Sequence, residues 1–471
     1  MKPLPGGDLP EKISRAHFIG IAGSGMSGIA RVMAEQGVVV TGSDRSDSEV
    51  VESLRDAGIT VFIGHDSNHL GDADTVVASS AVRDSNPELV EAYSRGLAVI
   101  HRSSALRWVM RGKTVLAVAG SHGKTTSTAM LASALHRAGI DAGFVNGGVV
   151  SQWGVSSRSG RAELFAIEAD ESDRSFLTYH PSTVLITNVA PDHLDFYGGM
   201  DAIYEAFEAF ARTATHGVVL CADDDGTREL AGRLADLSLV KTYGFSSDAD
   251  FHIVSVDPAP VARAHITYAG ESAEIVLGVP GRLNALNAVG VAGVLCDAGL
   301  SLTEAAHAVS GFSGADRRFQ FHGEIGGVRF FDDHAHHPTE VAAALETARA
   351  VVGAGRVITM FQPHLYSRTQ YMAAELAGAF AAGSDHTIFL DIFGSREDPI
   401  EGVTTDLILQ KLPVGYSFDF EPDWTRACER AVALAKPGDI ILTMSTGDLY
   451  QIVPQLLETQ RAWDEGHNAA S

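Results

Sequence analysis

The segment that most restricts the fold of this chain is a glycine-rich loop between an apolar strand and a helix. In "VLAVAGSHGKTTSTAML", residues 115–131, the loop ends in Gly123-Lys124-Thr125. Such a loop binds phosphate because its backbone N–H groups and the helix N-terminus point at the anion. The usual first glycine is replaced by Val118, and Gly120 stands closer to the lysine. The segment predicts a parallel α/β domain that binds ATP or GTP.

Runs of β-branched residues alternate with helical patterns along the whole chain, which predicts an α/β fold. We predict three domains: a Rossmann-like domain over 1–110, a central P-loop ATPase-type mixed sheet over 111–316 and a C-terminal Rossmann-like domain over 317–471. Three strands between 252 and 281 follow one another without a helix and predict an antiparallel patch. Segments 101–113 and 311–319 are predicted hinges.

The composition narrows the class of partner. Lys plus Arg is 35 and Asp plus Glu is 59, so the formal charge is 35 − 59 = −24. This charge disfavours nucleic acid and anionic membranes as partners. The three cysteines are isolated, so neither a disulfide nor a cysteine metal site is expected. No signal-peptide core and no run of about 18 apolar residues occurs, which predicts a cytoplasmic protein.

A second glycine-rich loop follows the first predicted strand. It reads Gly-x-Gly-x-x-Gly over residues 23–28, opens a helix, and Asp44 ends the next strand. This arrangement seats a diphosphate on the helix N-terminus and a ribose beside the acid. A dinucleotide and a sugar nucleotide satisfy the pattern equally well.

Acidic and histidine side chains follow several later strands, at the sheet edge where ligands bind. Glu168 in "EADESD" and His193 in "NVAPDHLDFYG" could complete Mg²⁺ coordination next to the phosphates. The histidines of "FDDHAHHPTE" have no cysteine nearby, so structural zinc is disfavoured. Arg368 in "FQPHLYSRT" suits bidentate capture of a substrate carboxylate.

Together these segments resemble the Mur ligases of peptidoglycan synthesis, and within them the branch that adds L-alanine. The resemblance covers nearly the whole chain and rests on GIAGSGMSGIA, GSHGKTTSTAM, FVNGG, EADESD, NVAPDHLDFYG, RRF, DDHAHHPTE and FQPHLYSRT, in the family's order. It implies an ATP-dependent amide ligase that joins L-alanine to UDP-N-acetylmuramate through an acyl phosphate. The implied cofactors are ATP and Mg²⁺, and the enzyme is expected to be a monomer or homodimer.

The resemblance also implies the roles of individual residues. The implied catalytic residues are Lys124, His193, Arg318, His336 and Arg368. The implied ATP contacts are Gly120, Ser121, His122, Gly123, Lys124, Thr125, Thr126, Asn284, Asn287, Arg318 and Asp333, and the implied Mg²⁺ ligands are Thr125, Glu168 and His193. The implied sugar-nucleotide contacts are Gly23, Ser24, Gly25, Met26, Ser27, Asp44, His65 and Ser79.

The chain departs from the family pattern at four places. His334 stands where Tyr is usual, Leu365 replaces a frequent Arg, Leu283 stands where His is common, and Ser445-Thr446 replaces Gly-Ala. Because a free imidazole titrates near neutrality, His334 is expected to gain charge below about pH 6.5. A murein tripeptide-recycling ligase of the same architecture remains an alternative. An NAD-dependent oxidoreductase and a regulatory NTPase are more distant ones.

Overall fold

The strands form three mainly parallel sheets in the computed structural model, which describes residues 9–23, 25–395 and 397–468. The sheets lie in two compact units. One unit comprises Met1–Val256, Arg263–Gly278 and Ala285–Ser313, and the other comprises Asp257–Ala262, Val279–Asn284 and Gly314–Ser471. The predicted bounds at 110 and 316 stay predictions.

The N-terminal sheet has five parallel strands in the order β3-β2-β1-β4-β5. A switch in strand order beside β1 is the usual place for a nucleotide in such sheets. The elements are β1 (Arg15–Ile19), α1 (Met26–Glu35), β2 (Val39–Asp44), α2 (Glu49–Asp56), β3 (Thr60–Ile63), β4 (Thr75–Ala78), α3 (Pro87–Ser94), β5 (Ala98–His101) and α4 (Arg102–Val109).

The central sheet has ten strands in the order β15-β14-β13-β12-β11-β10-β6-β9-β7-β8. The strands are β6 (Thr114–Ala119), β7 (Gly143–Val150), β8 (Val155–Arg158), β9 (Leu164–Glu168), β10 (Thr183–Ile186), β11 (Gly217–Cys221), β12 (Val240–Gly244), β13 (Phe251–Asp257), β14 (Arg263–Tyr268) and β15 (Glu271–Val276). The helices are α5 (Lys124–Arg137), α6 (Leu194–Tyr197), α7 (Met200–Ala211), α8 (Asp225–Arg233), α9 (Arg282–Asp297) and α10 (Leu302–Val309).

The predicted antiparallel patch is confirmed for β14 with β15. The strand β13 lies beside β14 and pairs parallel with β12 on its other side. The strands β7, β8 and β12 were not predicted. The glycines of "FVNGG" obscure β7, and β8 is only four residues long.

The C-terminal unit contains a six-stranded sheet in the order β16-β17-β21-β18-β19-β20, in which β16 pairs antiparallel with β17. The elements are β16 (Gln320–Ile325), β17 (Val328–Asp333), α11 (Pro338–Val352), β18 (Val357–Phe361), α12 (Tyr366–Gly383), β19 (His386–Phe389), α13 (Asp406–Leu409), β20 (Phe418–Phe420), α14 (Trp424–Leu434), β21 (Ile440–Met444) and α15 (Val453–Asn468). Short 3₁₀ turns occur at Ser67–Leu70, Ser175–Thr178 and Leu449–Ile452.

Most of the segment predicted as the first hinge forms the helix α4 instead. Its buried residues Leu106 and Val109 belong to the same apolar cluster as Phe18 of β1 and Phe165 of β9. The N-terminal and central sheets therefore share one continuous core, and burial of apolar surface holds them in a single unit. Among the residues that the structure describes, no helix is long and apolar enough to cross a membrane.

Candidate nucleotide and substrate sites

The compressed phosphate loop connects β6 to α5, and its geometry explains where the glycines stand. Gly120 has φ of +135°, and a Cβ there would lie 2.2 Å from Oγ1 of Thr187. Gly123 has φ of +83° and precedes the first turn of α5. Val118 lies inside β6 and is fully buried, so the loop begins only after it. A side chain is therefore tolerated at position 118 and excluded at position 120.

The segment that follows β10 holds the loop in place. The backbone N–H of His122 donates to Oδ1 of Asn188 at 2.9 Å, and the hydroxyl of Thr187 donates to the carbonyl of His122 at 2.6 Å. The Ser121 hydroxyl bonds the backbone of Ala190. These bonds hold the backbone N–H groups of the loop in a fixed arrangement, as a phosphate site requires.

Lys124 lies at the start of α5 and makes a buried ion pair. Its Nζ donates to Oε1 of Glu171 at 2.8 Å, and the two side chains are 14% and 4% exposed. Burial raises the pKa of Glu171 to about 7, although the ammonium of Lys124 opposes the rise. Lys124 is thus a charged group at the phosphate loop, as predicted, but it already has an anionic partner.

Thr125 and Glu168 are the predicted metal ligands that the structure brings together. Oγ1 of Thr125 donates to Oε1 of Glu168 at 3.2 Å, and the backbone N–H of Gly147 donates to Oε2 at 2.7 Å. A Cβ on Gly147 would lie 2.7 Å from that carboxylate and would displace it. Hard oxygen donors in this arrangement fit Mg²⁺.

The other predicted residues of the central sheet lie on two further elements. His193 precedes α6 with φ of +53°, and its Nε2 is 3.5 Å from Oδ2 of Asp192. Asn287 on α9 is beside the phosphate loop, because a Cβ on Gly123 would meet its amide at 3.3 Å. Asn284, one turn earlier, donates to the carbonyl of Pro280 at 2.6 Å.

The first glycine loop joins β1 to α1. Gly25 has φ of +76° and precedes α1, as expected for a close turn at a helix N-terminus. Oδ2 of Asp44, at the end of β2, accepts the backbone N–H of Ala22 at 2.9 Å and so ties β2 to this loop. The predicted contacts Met26 and Ser27 begin the helix, and Ser24 lies outside the described residues.

Arg102, the first residue of α4, was not predicted as a site residue. A Cβ on Gly25 would lie 3.5 Å from its Nη1, and its Nη2 donates to Asp170 at 2.8 Å and Asp173 at 3.0 Å. Burial alone would raise the pKa of Asp170, but Arg102 and Lys124 hold it lowered, at about 2. Arg102 thus links the first glycine loop to the loop that carries Glu171.

His65, a predicted sugar-nucleotide contact, belongs to a cluster around the buried carboxylate of Glu88. Its Nδ1 lies 3.0 Å from Glu88 and 2.9 Å from the hydroxyl of Ser43, and His69 and His17 approach the other carboxylate oxygen. Burial alone would raise the pKa of Glu88, but the hydrogen bonds from its neighbours lower it to about 2. Ser79 lies directly after β4 and is partly buried.

In the C-terminal unit the predicted residues gather at the ends of β17 and β21. Asp333 accepts the backbone N–H groups of Phe319 and Ala335, both at 2.7 Å. Burial raises the pKa of Asp333 to about 6, although the charge of Arg318 opposes it. Arg317 and Phe319 both have positive φ, so the "RRF" turn is strained on either side of Arg318.

His334 contradicts one expectation from the sequence. Its Nε2 lies 2.5 Å from Oγ1 of Thr446, which is itself a departure from the family. Burial and the charge of Arg318 hold the pKa of His334 well below its usual value. The expectation that His334 gains charge below about pH 6.5 is therefore wrong.

His336 and Arg368 lie in one row of polar side chains. The rings of His336 and His364 meet edge-on with centroids 5.7 Å apart, and Nη1 of Arg368 lies 3.1 Å from Nδ1 of His364. His336 Nδ1 is also 3.2 Å from Glu340. Leu365, in place of a frequent Arg, is 7% exposed and has φ of +69°. Across the described residues no three His, Cys, Asp or Glu side chains are grouped as a metal site.

Several residues of these sites were missed because the sequence gives no signal for their partners. Arg102 lay in a presumed hinge, and Glu171 was only one of four acids in "EADESD". Glu88 follows Asn86-Pro87, which marks only a helix start. The contact between Gly147 and Glu168 did have a signal in the sequence. Two adjacent glycines in "FVNGG" are typical of a strand that another group approaches closely.

Three family models match in succession. The description "Mur ligase family, catalytic domain" covers residues 15–114, "Mur ligase middle domain" covers 118–295 and "Mur ligase, glutamate ligase domain" covers 317–447. These matches confirm the three-domain α/β organisation predicted from the sequence.

The chain is also similar to characterised sequences and solved structures over nearly its full length. It is 50% identical over 451 residues to the UDP-N-acetylmuramate–L-alanine ligase of Clavibacter sepedonicus, covering 96% of this chain and 94% of that protein. The solved UDP-N-acetylmuramate-alanine ligase of Thermotoga maritima is 27% identical, with a TM-score of 0.79 and coverage of 97% and 100%. The murein peptide ligase of Psychrobacter arcticus is also 27% identical, with a TM-score of 0.70 and coverage of 95% and 99%. The chain belongs to the Mur ligase family.

Proposed function

We propose that the chain is an ATP-dependent ligase that joins L-alanine to the lactyl carboxylate of UDP-N-acetylmuramate in peptidoglycan precursor synthesis. The observation that carries this function is the presence of two glycine loops, each at a helix N-terminus, in one compact unit. A dehydrogenase would leave the lysine loop without a role, and a simple NTPase would leave the first loop without one. The names of similar sequences point to the same reaction.

The reaction needs an activated acyl group, because a carboxylate is a poor electrophile. A lactyl carboxylate oxygen attacks the γ-phosphorus and ADP leaves, giving an acyl phosphate. The neutral amine of L-alanine then attacks the acyl carbon, and inorganic phosphate leaves from the tetrahedral intermediate. Negative charge accumulates on phosphoryl oxygens in both steps, so a preplaced cation such as Lys124 stabilises them.

We assign Mg²⁺ to Thr125, Glu168 and His193, with the phosphates supplying further oxygen ligands. The support is the 3.2 Å contact between Thr125 and Glu168 and the hard oxygen character of both groups. When bound, Mg²⁺ would neutralise charge on the β- and γ-phosphate oxygens. The imidazole of His193 is partly exposed and so open to a ligand.

The remaining assignments rest on the resemblance. We propose that Gly120, Ser121, His122, Gly123 and Thr126 cradle the phosphates, and that Asn284, Asn287, Arg318 and Asp333 also contact ATP. We propose that His336 and Arg368 contact L-alanine or the reacting carboxylate, and that Gly23, Ser24, Gly25, Met26, Ser27, Asp44, His65 and Ser79 contact the sugar nucleotide. A cytoplasmic location and a monomer or homodimer remain part of the proposal.

One assay distinguishes this function from the others. The purified chain is mixed with MgATP, UDP-N-acetylmuramate and either L-alanine or L-alanyl-γ-D-glutamyl-diaminopimelate, and ADP is measured. We expect ADP only when L-alanine and the sugar nucleotide are both present. ADP formation from the sugar nucleotide with the tripeptide, but not with L-alanine, would assign the recycling reaction. ADP formation without either amine would indicate an NTPase. Binding of NADH would support the oxidoreductase.

A further inference from the structure

The ammonium group of Lys124 has no hydrogen left for a ligand. An ammonium donates three hydrogen bonds. The acceptors in the structure are the carbonyls of Gly120 and Ser121 and Oε1 of Glu171. If Lys124 binds the β- and γ-phosphates, the nucleotide must replace one of these three acceptors.

Glu171 is the acceptor that a phosphate can replace. The two carbonyls belong to the turn that carries Lys124 itself, whereas Glu171 comes from the loop after β9 and is the only ionisable acceptor of the three. Its second oxygen, Oε2, is buried and has no hydrogen-bond partner within the part of the chain that the structure describes. A buried carboxylate that is satisfied on one side only is a poor permanent partner.

We propose that the Glu171 carboxylate occupies the place on Lys124 that a phosphate oxygen takes when ATP binds. Glu171 is thus a positioning residue: it holds the lysine at the loop when the site is empty, and it competes with the nucleotide. This inference rests on the proposed function only in taking the nucleotide to be ATP. A tethered carboxylate has a high effective concentration near Lys124. A polyphosphate must therefore bind the lysine more strongly than this carboxylate does.

The backbone around Glu171 is fixed, so the exchange needs only a side-chain rotation. The hydroxyl of Tyr197 donates to the Glu171 carbonyl at 2.6 Å. On either side, Asp170 and Asp173 are held by Arg102 at 2.8 Å and 3.0 Å. The loop can therefore stay in place while the carboxylate leaves Lys124.

The test compares two ligands that differ in reach. Glu171→Gln keeps the shape of the side chain and removes its charge. Binding of the β,γ-imido analogue of ATP and of AMP is measured by calorimetry with Mg²⁺, without sugar nucleotide or amino acid. We expect the analogue to bind about tenfold more tightly, because a charged hydrogen bond no longer has to be broken. AMP, which has no β- or γ-phosphate, should bind unchanged.

Two controls make the result specific. Glu163→Gln removes the same charge from an exposed residue just before β9 and should leave both affinities unchanged. The double variant Glu171→Gln/Lys124→Met should bind the analogue no more tightly than Lys124→Met alone, because no ammonium remains to be released.

Equal or weaker binding of the analogue by Glu171→Gln would overturn the inference, and would mean that Glu171 orients Lys124 for the nucleotide or takes part in metal binding. Thermal unfolding shows whether the variant is folded. If it is not, Glu171→Asp, which retracts the carboxylate by one methylene, should show a smaller gain of the same sign. Failure of the wild-type chain to form ADP with L-alanine would refute the proposed function instead.

Discussion

The contact between His334 and Thr446 predicts that these two departures from the family depend on each other. The residues are 112 positions apart in sequence, yet Nε2 of His334 lies 2.5 Å from Oγ1 of Thr446. In the family pattern Tyr and Ala stand at these positions. A Tyr hydroxyl would extend beyond the position of Nε2 into the space of the Thr446 side chain. Ala at 446 would make that space available.

The magnitudes follow from the geometry. Thr446→Ala leaves a partly buried ring nitrogen without its partner, which costs about 1–3 kcal/mol of unfolding free energy. His334→Tyr alone overpacks the site and costs about 1–3 kcal/mol. The double variant should recover at least about 1 kcal/mol relative to the sum of the two, because the larger ring fills the space that the smaller side chain leaves.

Equilibrium urea unfolding of the four proteins measures this coupling, and the KM for L-alanine shows whether the pair shapes the amino-acid site. Additive free energies, within about 0.5 kcal/mol, would refute the packing argument. Because His334 has a pKa well below its usual value, the acid limb of the activity profile should be the same in wild type and double variant. A limb that moves toward lower pH in the double variant would show that His334 does titrate there.

Three further perturbations test other parts of the molecule. Lys124→Ala should lower the rate of ADP formation about a hundredfold, equivalent to about 3 kcal/mol, and near-normal ADP formation would contradict its role at the phosphates. Gly25→Val places a β-branched residue at φ of +76° next to Arg102. The KM for UDP-N-acetylmuramate should therefore rise while the affinity for ATP stays the same. Equal losses for both substrates would mean general damage. Glu88→Gln should lower the unfolding free energy by about 2 kcal/mol at pH 7, measured by urea unfolding. Because the folded pKa of Glu88 is lowered to about 2, the wild type should lose this contribution as the pH falls from about 4.5 toward 2, and identical pH profiles would contradict it.

The strands and both glycine loops could be predicted because each depends on local sequence. β-branched runs encode buried parallel strands, and a glycine before a helix marks a turn with positive φ, as Gly25 and Gly123 have. Edge and hairpin strands such as β8 were missed, since four residues with little apolar character carry no periodic signal. The helix α4 was missed because its apolar residues are recognised as a buried face only once the core that they join is known.

The site residues stay predictions, and the partners that the structure gives them could not be inferred from the sequence. Asp44, for example, accepts the backbone N–H of Ala22 from the loop beside it, a contact that the motif does not reveal. The pairing of Lys124 with Glu171 depends on β6 and β9 being neighbours in the sheet, and strand order is not encoded locally. The pKa of His334 could not be predicted either, because it is lowered by burial and by the charge of Arg318, which depend on the fold.

The exchange proposed at Lys124 would let a chain with a formal charge of −24 select anionic ligands. Arg102, beside the first glycine loop, is bound by Asp170 and Asp173, and Lys124, at the second loop, is bound by Glu171. On the proposal made above, a polyphosphate reaches Lys124 by displacing the carboxylate of Glu171, while the ion pairs of Arg102 stay in place. A monovalent anion gains one ion pair and loses one, so it competes poorly with a partner held at high effective concentration. A polyphosphate also gains the backbone N–H groups of the helix N-terminus, which favours the exchange.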